Sequence, residues 1–407
     1  MTRPRPARFR ALLTLGPAFV AAIAYVDPGN VAANVTAGSR YGYLLVWVLV
    51  VASAMGALVQ YCSARLGIVT GATLPELVAT RMNRPGRLAY WLQAEVVAAA
   101  TDVAEVVGGA LALQLLFGLP LVLGGIVVGA VSLLLLALQS RSGARAFEGV
   151  MLALLGTLAI GFAAGLLPRG IDWSQFAAGL VPRFDGAGSV LLAVSMLGAT
   201  VMPHVVYLHS ALVRDRHGPT AAHAVSRLLR ITRVDVGLAL LLAGSVNIAL
   251  LVLAAQLGDS GTASIEQAHA AIAAAAGPVL AAVFAVGLLA SGLASSSVGA
   301  YAGAVIMAGL LKVRIPLFVR RVTTLLPALV LLALGAPPTA TLVLTQVVLS
   351  LGLPFALVPL IRLNADPVLM GPHVAGRTLR VTAWIVTALV VLLNLLLLVL
   401  TFAGALS

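Results

Sequence analysis

Two short stretches, far apart in the chain, carry side chains that together could hold a cation. Asp27-Pro28-Gly29-Asn30 lies inside the first long apolar run, and Ala199-Thr200-Val201-Met202-Pro203-His204 lies inside the sixth. Asp27 offers a carboxylate, Asn30 an amide oxygen and Met202 a thioether sulfur. The proline in each stretch removes a backbone donor and interrupts a helix, which frees carbonyls such as those of Ala24 and Ala199 at the negative ends of half-helices. Oxygen donors alone would suit Mg²⁺ or Ca²⁺, whereas a thioether gains little from such hard ions and tilts the set towards Mn²⁺ and Fe²⁺. The competing account of Met202 is ordinary apolar packing.

A second constellation is Glu95, Asp102 and Glu105, whose spacings of seven and three put them on one helical face. Buried carboxylates in such a stripe suit a proton relay, or else structural ion pairs with other spans. Arg320 and Arg321 are candidate partners in either case. His204 and His209 are five residues apart and so point in different directions, which weakens a two-histidine metal site. His204 is read as a proton-handling group beside the cation, with a structural hydrogen bond as the alternative. Gln346 and Gln60 each offer an amide that could face the transported species or bond helix to helix. Glu76, Glu148 and Asp366 fall in loops or at helix ends, where solvation accounts for them. The lone Cys62 cannot form an intrachain disulfide and reads as packing.

The elements that must position these groups are membrane helices. Of 407 residues, 61% are hydrophobic and 9% charged, and the mean hydropathy is +1.08, which leaves too little polar surface for a soluble globule. Aromatic residues are only 5% and short alternating segments are lacking, which favours helices over an outer-membrane barrel. Apolar runs predict eleven spans, at 12–37, 43–64, 88–116, 121–138, 150–167, 190–213, 234–257, 278–311, 318–334, 341–363 and 381–402. An aspartate near the bilayer centre costs roughly 2.5 to 3.5 kcal/mol, so Asp27 beside an unwound Pro-Gly requires a functional reason.

With a cytoplasmic N-terminus, alternation of the spans places all but Arg40, Arg169 and Arg183 of the 25 basic residues inside. The net charge of +12 is thereby spread over separate loops, which argues against nucleic acid as a partner. The basic start, the apolar run and Ala22-Ile23-Ala24 also resemble a cleavable leader, but cleavage would discard a segment with a counterpart in the sixth span. Five spans separate the two breaks, and an odd number inverts the second unit. Inverted repeats at 11–167 and 187–363, each headed by a broken helix, with an added span at 377–403, form the arrangement in which secondary transporters bind substrate near the midplane.

These residues resemble the Nramp family of divalent metal transporters. The paired stretches carry the resemblance, with Gln60, Leu66-Gly67-Ile68, Thr70-Gly71, Thr101-Asp102, Glu105, Tyr301-Ala302-Gly303 and Leu353-Pro354-Phe355-Ala356 extending it. It implies a leucine-transporter-like fold and proton-coupled import of Mn²⁺ or Fe²⁺, with Asp27, Asn30, Met202 and the Ala199 carbonyl as metal ligands. It also implies that Asp27 accepts a proton and that His204, Glu105, Asp102 and Glu95 serve a proton route towards Arg320 and Arg321. Two positions depart: Gly292-Leu293-Ala294-Ser295-Ser296 stands where polar residues are expected, and Gly352 where a glutamine is usual. Magnesium-transporting relatives lack the methionine pattern.

The expectation is therefore an alternating-access importer in a prokaryotic cytoplasmic membrane, not an enzyme. It would have metal ions, protons and lipid as its partners, no resident cofactor and no obligate protein partner. The same fold could instead carry an organic solute with Na⁺, Met202 then merely lining a pocket. An intramembrane aspartyl protease would need two carboxylates sharing a proton. Asp27 and Asp102 are candidates, but no Gly-x-Gly-Asp surrounds the second and Met-Pro-His would go unused.

Overall fold

The structure, a computed structural model, describes residues 16–142, 149–150, 153–157, 159–161, 171–218, 222–256, 264–313 and 316–402, and every regular element among them is helical. In chain order the first are α1 (Pro17–Ala24), α2 (Pro28–Tyr41), α3 (Val46–Thr70), α4 (Leu74–Ala79), α5 (Arg84–Phe117) and α6 (Leu121–Ser142). Then come α7 (Trp173–Gly179), α8 (Gly186–Thr200), α9 (Pro203–His217), α10 (Ala222–Gln256) and α11 (Ile265–Ala276). The last are α12 (Pro278–Leu311), α13 (Leu317–Ala333), α14 (Pro338–Asn364), α15 (Pro367–Met370) and α16 (Arg377–Phe402), with a 3₁₀ turn at Gly371–His373.

Among the described residues, seven helices are long and apolar enough to cross a membrane: α3, α5, the α8–α9 run, α10, α12, α14 and α16. Of the four other expected spans, the first is two half-helices of 8 and 14 residues, and the fourth is apolar over Leu121–Leu135. The ninth, α13, has 17 residues, and half of 150–167, with Glu148, lies outside the described residues.

The first interruption falls earlier than the sequence suggested, and the second lies within the stretch from Ala199 to His204 that the sequence pointed to. The first was expected at Asp27–Asn30, yet Pro28, Gly29 and Asn30 already belong to α2, and only Tyr25, Val26 and Asp27 are unwound. In the sixth span Val201 and Met202 are unwound while Pro203 opens α9. Proline is tolerated at the first helical position because its missing N–H has no intrahelical partner there, so each proline starts a half-helix rather than ending one. Asp27 completes the first restart as N-cap, its carboxylate accepting from the Asn30 backbone N–H at 2.7 Å.

The eight-residue α1 is too short to be stable alone, and its helix is held by burial and by a distant cap. Asp235 of α10 accepts hydrogen bonds from the Gly16 and Ala18 N–H groups at 3.2 and 3.1 Å. α5 packs along α12, and together with α1 and α10 they supply much of the largest apolar cluster. A second cluster joins α3, α9 and α14. The loop acids are tied down rather than merely solvated. Glu76 forms a capping box with Thr73 at the head of α4 and an ion pair with Arg214 at 3.0 Å, while Asp366 caps α15 and pairs with Arg81.

Candidate metal and proton sites

A helical carbonyl normally accepts from the N–H four residues on, and at Ala24 and Ala199 the fourth residue is proline, Pro28 and Pro203. Both carbonyls thus lose their partner for the same reason. The side chain of Asn30 reaches across from the first break to the second: its Nδ2 donates to Asp27 Oδ1 at 2.8 Å and to the Ala199 carbonyl at 2.9 Å. Its Oδ1 is buried without a hydrogen-bond partner. Asp27, Asn30, Ala199 and Met202 are all wholly buried, and Met202 packs in the same cluster as Ala24, Tyr25 and Val26. The two breaks are thereby brought to one place, with a carboxylate, an amide, a thioether and released carbonyls around it.

Gln346 of α14 joins them. Its Nε2 lies 3.5 Å from Asp27 Oδ2, its amide packs on the bare Cα of Gly29, and its Oε1 is a further buried acceptor with no partner. Gly352, where an amide was expected, instead faces Val97 and Pro203. The amide beside Asp27 is supplied six residues earlier. No trio of His, Cys, Asp and Glu able to hold a metal ion occurs among the described residues. The groups gathered here are one carboxylate and neutral oxygen and sulfur atoms, a set that could ligate a cation without the multiple charges of a structural metal centre.

The acidic stripe of α5 divides. Asp102 is bonded to Arg321, Nη1 to Oδ1 at 2.7 Å, with Ser132 Oγ taking Arg321 Nε at 2.9 Å and Ser296 Oγ taking Nη2. Glu95 pairs with Arg320 at 3.1 Å. Successive residues of α13 thus serve two of the three acids. Among the described residues Glu105 forms no ion pair and neither of its oxygens meets a partner in hydrogen-bonding geometry, although the side chain is wholly buried and Asp102 and Arg321 are near enough to act on it. Its carboxylate lies over Gly299 of α12, as the Arg320 guanidinium lies over Gly303. His204 Nδ1 is 3.2 Å from Thr101 Oγ1, one turn before Glu105, and its Nε2 is unpartnered.

His209 and Gln60 belong to a third group, distinct from the acids. His209 Nδ1 is 2.7 Å from Gln60 Oε1, and Gln60 Nε2 donates to the Tyr25 hydroxyl at 2.7 Å. Asn247 Nδ2 donates to the Tyr25 carbonyl at 2.7 Å, and Asn34 Nδ2 to Asn247 Oδ1 at 2.8 Å. Ser291 Oγ donates to the Val26 carbonyl at 2.5 Å. Asn247 and Ser291 thus satisfy carbonyls of the unwound backbone of the first break, while Gln60 holds the Tyr25 side chain. Sequence reasoning passed over Asn34, Asn247, Ser291 and Asp235; for Asn247 the available signal was a lone amide within an otherwise apolar run.

Half-helices that meet at a buried carboxylate inside a bundle of membrane-length helices are the arrangement of the leucine-transporter-like class of membrane proteins. The solved structure of MhsT in complex with L-phenylalanine shares this fold, with a TM-score of 0.62 at 16% identity, covering 93% of this chain and 98% of that one. The chain belongs to the Nramp family: the family model described as natural resistance-associated macrophage protein-like matches residues 18–400. A divalent metal cation transporter, MntH, of Mycobacterium tuberculosis is 59% identical over 393 residues, covering 96% of this chain and 92% of that protein. The crystal structure of the Eremococcus coleocola manganese transporter superposes with a TM-score of 0.86 at 30% identity, over 97% of this chain and 88% of that one.

Proposed function

We propose that this protein imports divalent transition metal ions, Mn²⁺ or Fe²⁺, across a prokaryotic cytoplasmic membrane together with protons. The observation that carries this reading is the Asn30 side chain joining Asp27 of one break to the Ala199 carbonyl of the other. An ion bound there takes Asp27, the Asn30 oxygen, the carbonyls of Ala24 and Ala199 and the sulfur of Met202 as donors, with the Gln346 oxygen at hand. The Met202 sulfur favours softer ions over Ca²⁺ and Mg²⁺. Membership of the family that includes the MntH protein of Mycobacterium tuberculosis supports the same substrate class.

Protons enter through the α5 stripe. Arg320 and Arg321 hold Glu95 and Asp102 in ion pairs, so Glu105, which forms no ion pair among the described residues, is the acid available to take up and release a proton, with His204 bonded to Thr101 one turn before it. The ion's positive charge favours proton release from nearby acids, which links the two cargoes. Alternating access follows from rocking α1–α2 and α8–α9 against the remaining helices, the N-terminus being cytoplasmic.

The test is Mn²⁺ uptake into proteoliposomes containing the purified chain and a lumenal pH dye, with Ca²⁺ and Mg²⁺ as comparison ions. Saturable Mn²⁺ entry with lumenal acidification supports the reading. Entry without acidification retains the metal site and removes the proton role of Glu105. A folded protein that admits no metal overturns the proposal in favour of an organic solute.

A further inference from the structure

On the side of the molecule that carries most of its basic residues, α3, α10 and α16 border a cavity of about 660 Å³ that plays no part in the sites above. Along α3 it follows one helical face, from Ala54 through Ala57 and Leu58 to Tyr61 and Arg65. From Ala54 to Arg65 the helix rises about 16 Å, so the cavity runs from the basic end of α3 well into its apolar length. Its polar end holds three arginines, Arg65, Arg233 and Arg377; its inner end is small and apolar.

Among the described residues none of the three arginines forms an ion pair with a carboxylate. Arg65 is buried and donates to Asn364 Oδ1 at 3.2 Å and to the His373 carbonyl, both neutral. Arg233 stacks on Tyr61, its Cζ 5.2 Å from the ring centroid, and lies near enough to Arg65 for the two charges to repel. Asp235, two residues along, bonds the head of α1. Two neighbouring cations at a membrane boundary, with a third on the rim and no anion among them, leave a charge that a ligand can neutralise. Guanidinium groups match phosphate oxygens in geometry, and basic pockets between transmembrane helices take anionic headgroups.

We infer that this cavity binds an anionic phospholipid. The phosphodiester lies among Arg65, Arg233 and Arg377, and an acyl chain lies along Ala54, Ala57 and Leu58. The eleventh span, outside both expected repeats, then has a task, since α16 supplies Arg377 and the adjoining Leu379 to the third wall.

Native mass spectrometry of the full chain in detergent tests this, with phosphatidylglycerol, phosphatidylcholine and inorganic phosphate added separately. The expected result is one retained phosphatidylglycerol per chain, in preference to phosphatidylcholine. Its affinity should fall roughly thirtyfold in R233Q/R377Q, the effect expected of two basic residues at an anionic headgroup. The R233K/R377K variant keeps both charges and should retain most of the binding, which separates lost charge from a damaged fold. Equal retention by R233Q/R377Q and the unaltered chain overturns the assignment. So does phosphate binding at these arginines in preference to lipid.

Discussion

Asn30 spans both breaks, and its amide can present either donors or an acceptor to the space between them. In the structure it presents Nδ2 to Asp27 and to Ala199; with an ion bound it must present Oδ1. N30A should therefore weaken Mn²⁺ binding by at least about tenfold, as loss of groups that orient or complete a metal site commonly does, measured by calorimetric titration. M202A is expected to act differently: Mn²⁺ affinity falls while Ca²⁺ and Mg²⁺ uptake rises, because a set of oxygen donors no longer discriminates against hard ions. Unchanged selectivity in M202A would reduce that residue to packing. Asp27 and Asn30 stand out in the sequence because each is polar at membrane depth, whereas Met202, an apolar residue, stands out only through Pro203 beside it and the matching break in the first span. Gln346 was legible only as a polar residue in an apolar run, since its neighbour in space, Gly29, lies more than three hundred residues away in the chain. Glu95, Asp102 and Glu105 could be placed on one face by periodicity. Which of them would be left without a cation depended on α13, whose register against α5 no local pattern specifies.

Each half-helix restarts at a proline and leaves a carbonyl four residues earlier without its donor, so the two breaks are equivalent in their backbone chemistry. Replacing Pro203 by alanine restores an N–H within reach of the Ala199 carbonyl. P203A should fold, since alanine is a good helix former and the first helical position does not require proline. It should also lose most Mn²⁺ uptake because the ladder closes over the site; uptake equal to that of the unaltered chain would deny the carbonyl its role. The spacing that makes this argument was present in the sequence, although the first break was placed on Asp27 to Asn30 rather than on the three residues ahead of Pro28. On α12, Gly299 leaves room for the Glu105 carboxylate and Gly303 for the Arg320 guanidinium. G299A is expected to reduce lumenal acidification per Mn²⁺ carried while Mn²⁺ affinity changes less than about threefold, a shift well within one factor of ten in binding constant. At α15, the Arg81 guanidinium beside Asp366, helped by the backbone N–H groups of Leu369 and Val368, holds its carboxyl below the usual carboxylate range. The anchoring this provides is present above the unfolded value near about 3.9 and is lost as pH falls through the lowered one. Protease nicking of residues 366–376 should stay slow through mildly acidic pH and rise only in stronger acid, whereas D366N should be nicked faster throughout.

Across the whole molecule, the asymmetry of basic residues assigns a side to every loop, and that assignment can be read with thiol reagents. Cys62 is 2% exposed, so the unaltered chain gives a quiet background. Cysteine at Ser174, beside the exposed Trp173 of α7, should label from outside intact cells, and cysteine at Val368, which is 95% exposed, only after permeabilisation. The reverse result would invert the topology. The all-helical, membrane-spanning character was the most legible part of this fold, because the bilayer imposes length and apolarity on each span, and seven of the expected spans are long apolar helices among the described residues. The short helices α4, α7 and α11 were not foreseen, since they sit in loops where no such constraint acts. The metal site also has a property that belongs to the whole molecule in its membrane. Among the described residues, Asp27 is the one carboxylate within hydrogen-bonding distance of Asn30 or Gln346. A divalent ion joined to a single carboxylate leaves one net positive charge on the loaded carrier and one negative charge on the empty one. An inside-negative membrane voltage therefore does about 2.3 kcal/mol of work per 100 mV on each elementary charge that crosses the full field. Both the inward step and the return draw on that voltage, so uptake should steepen with hyperpolarisation even where no pH difference exists across the bilayer.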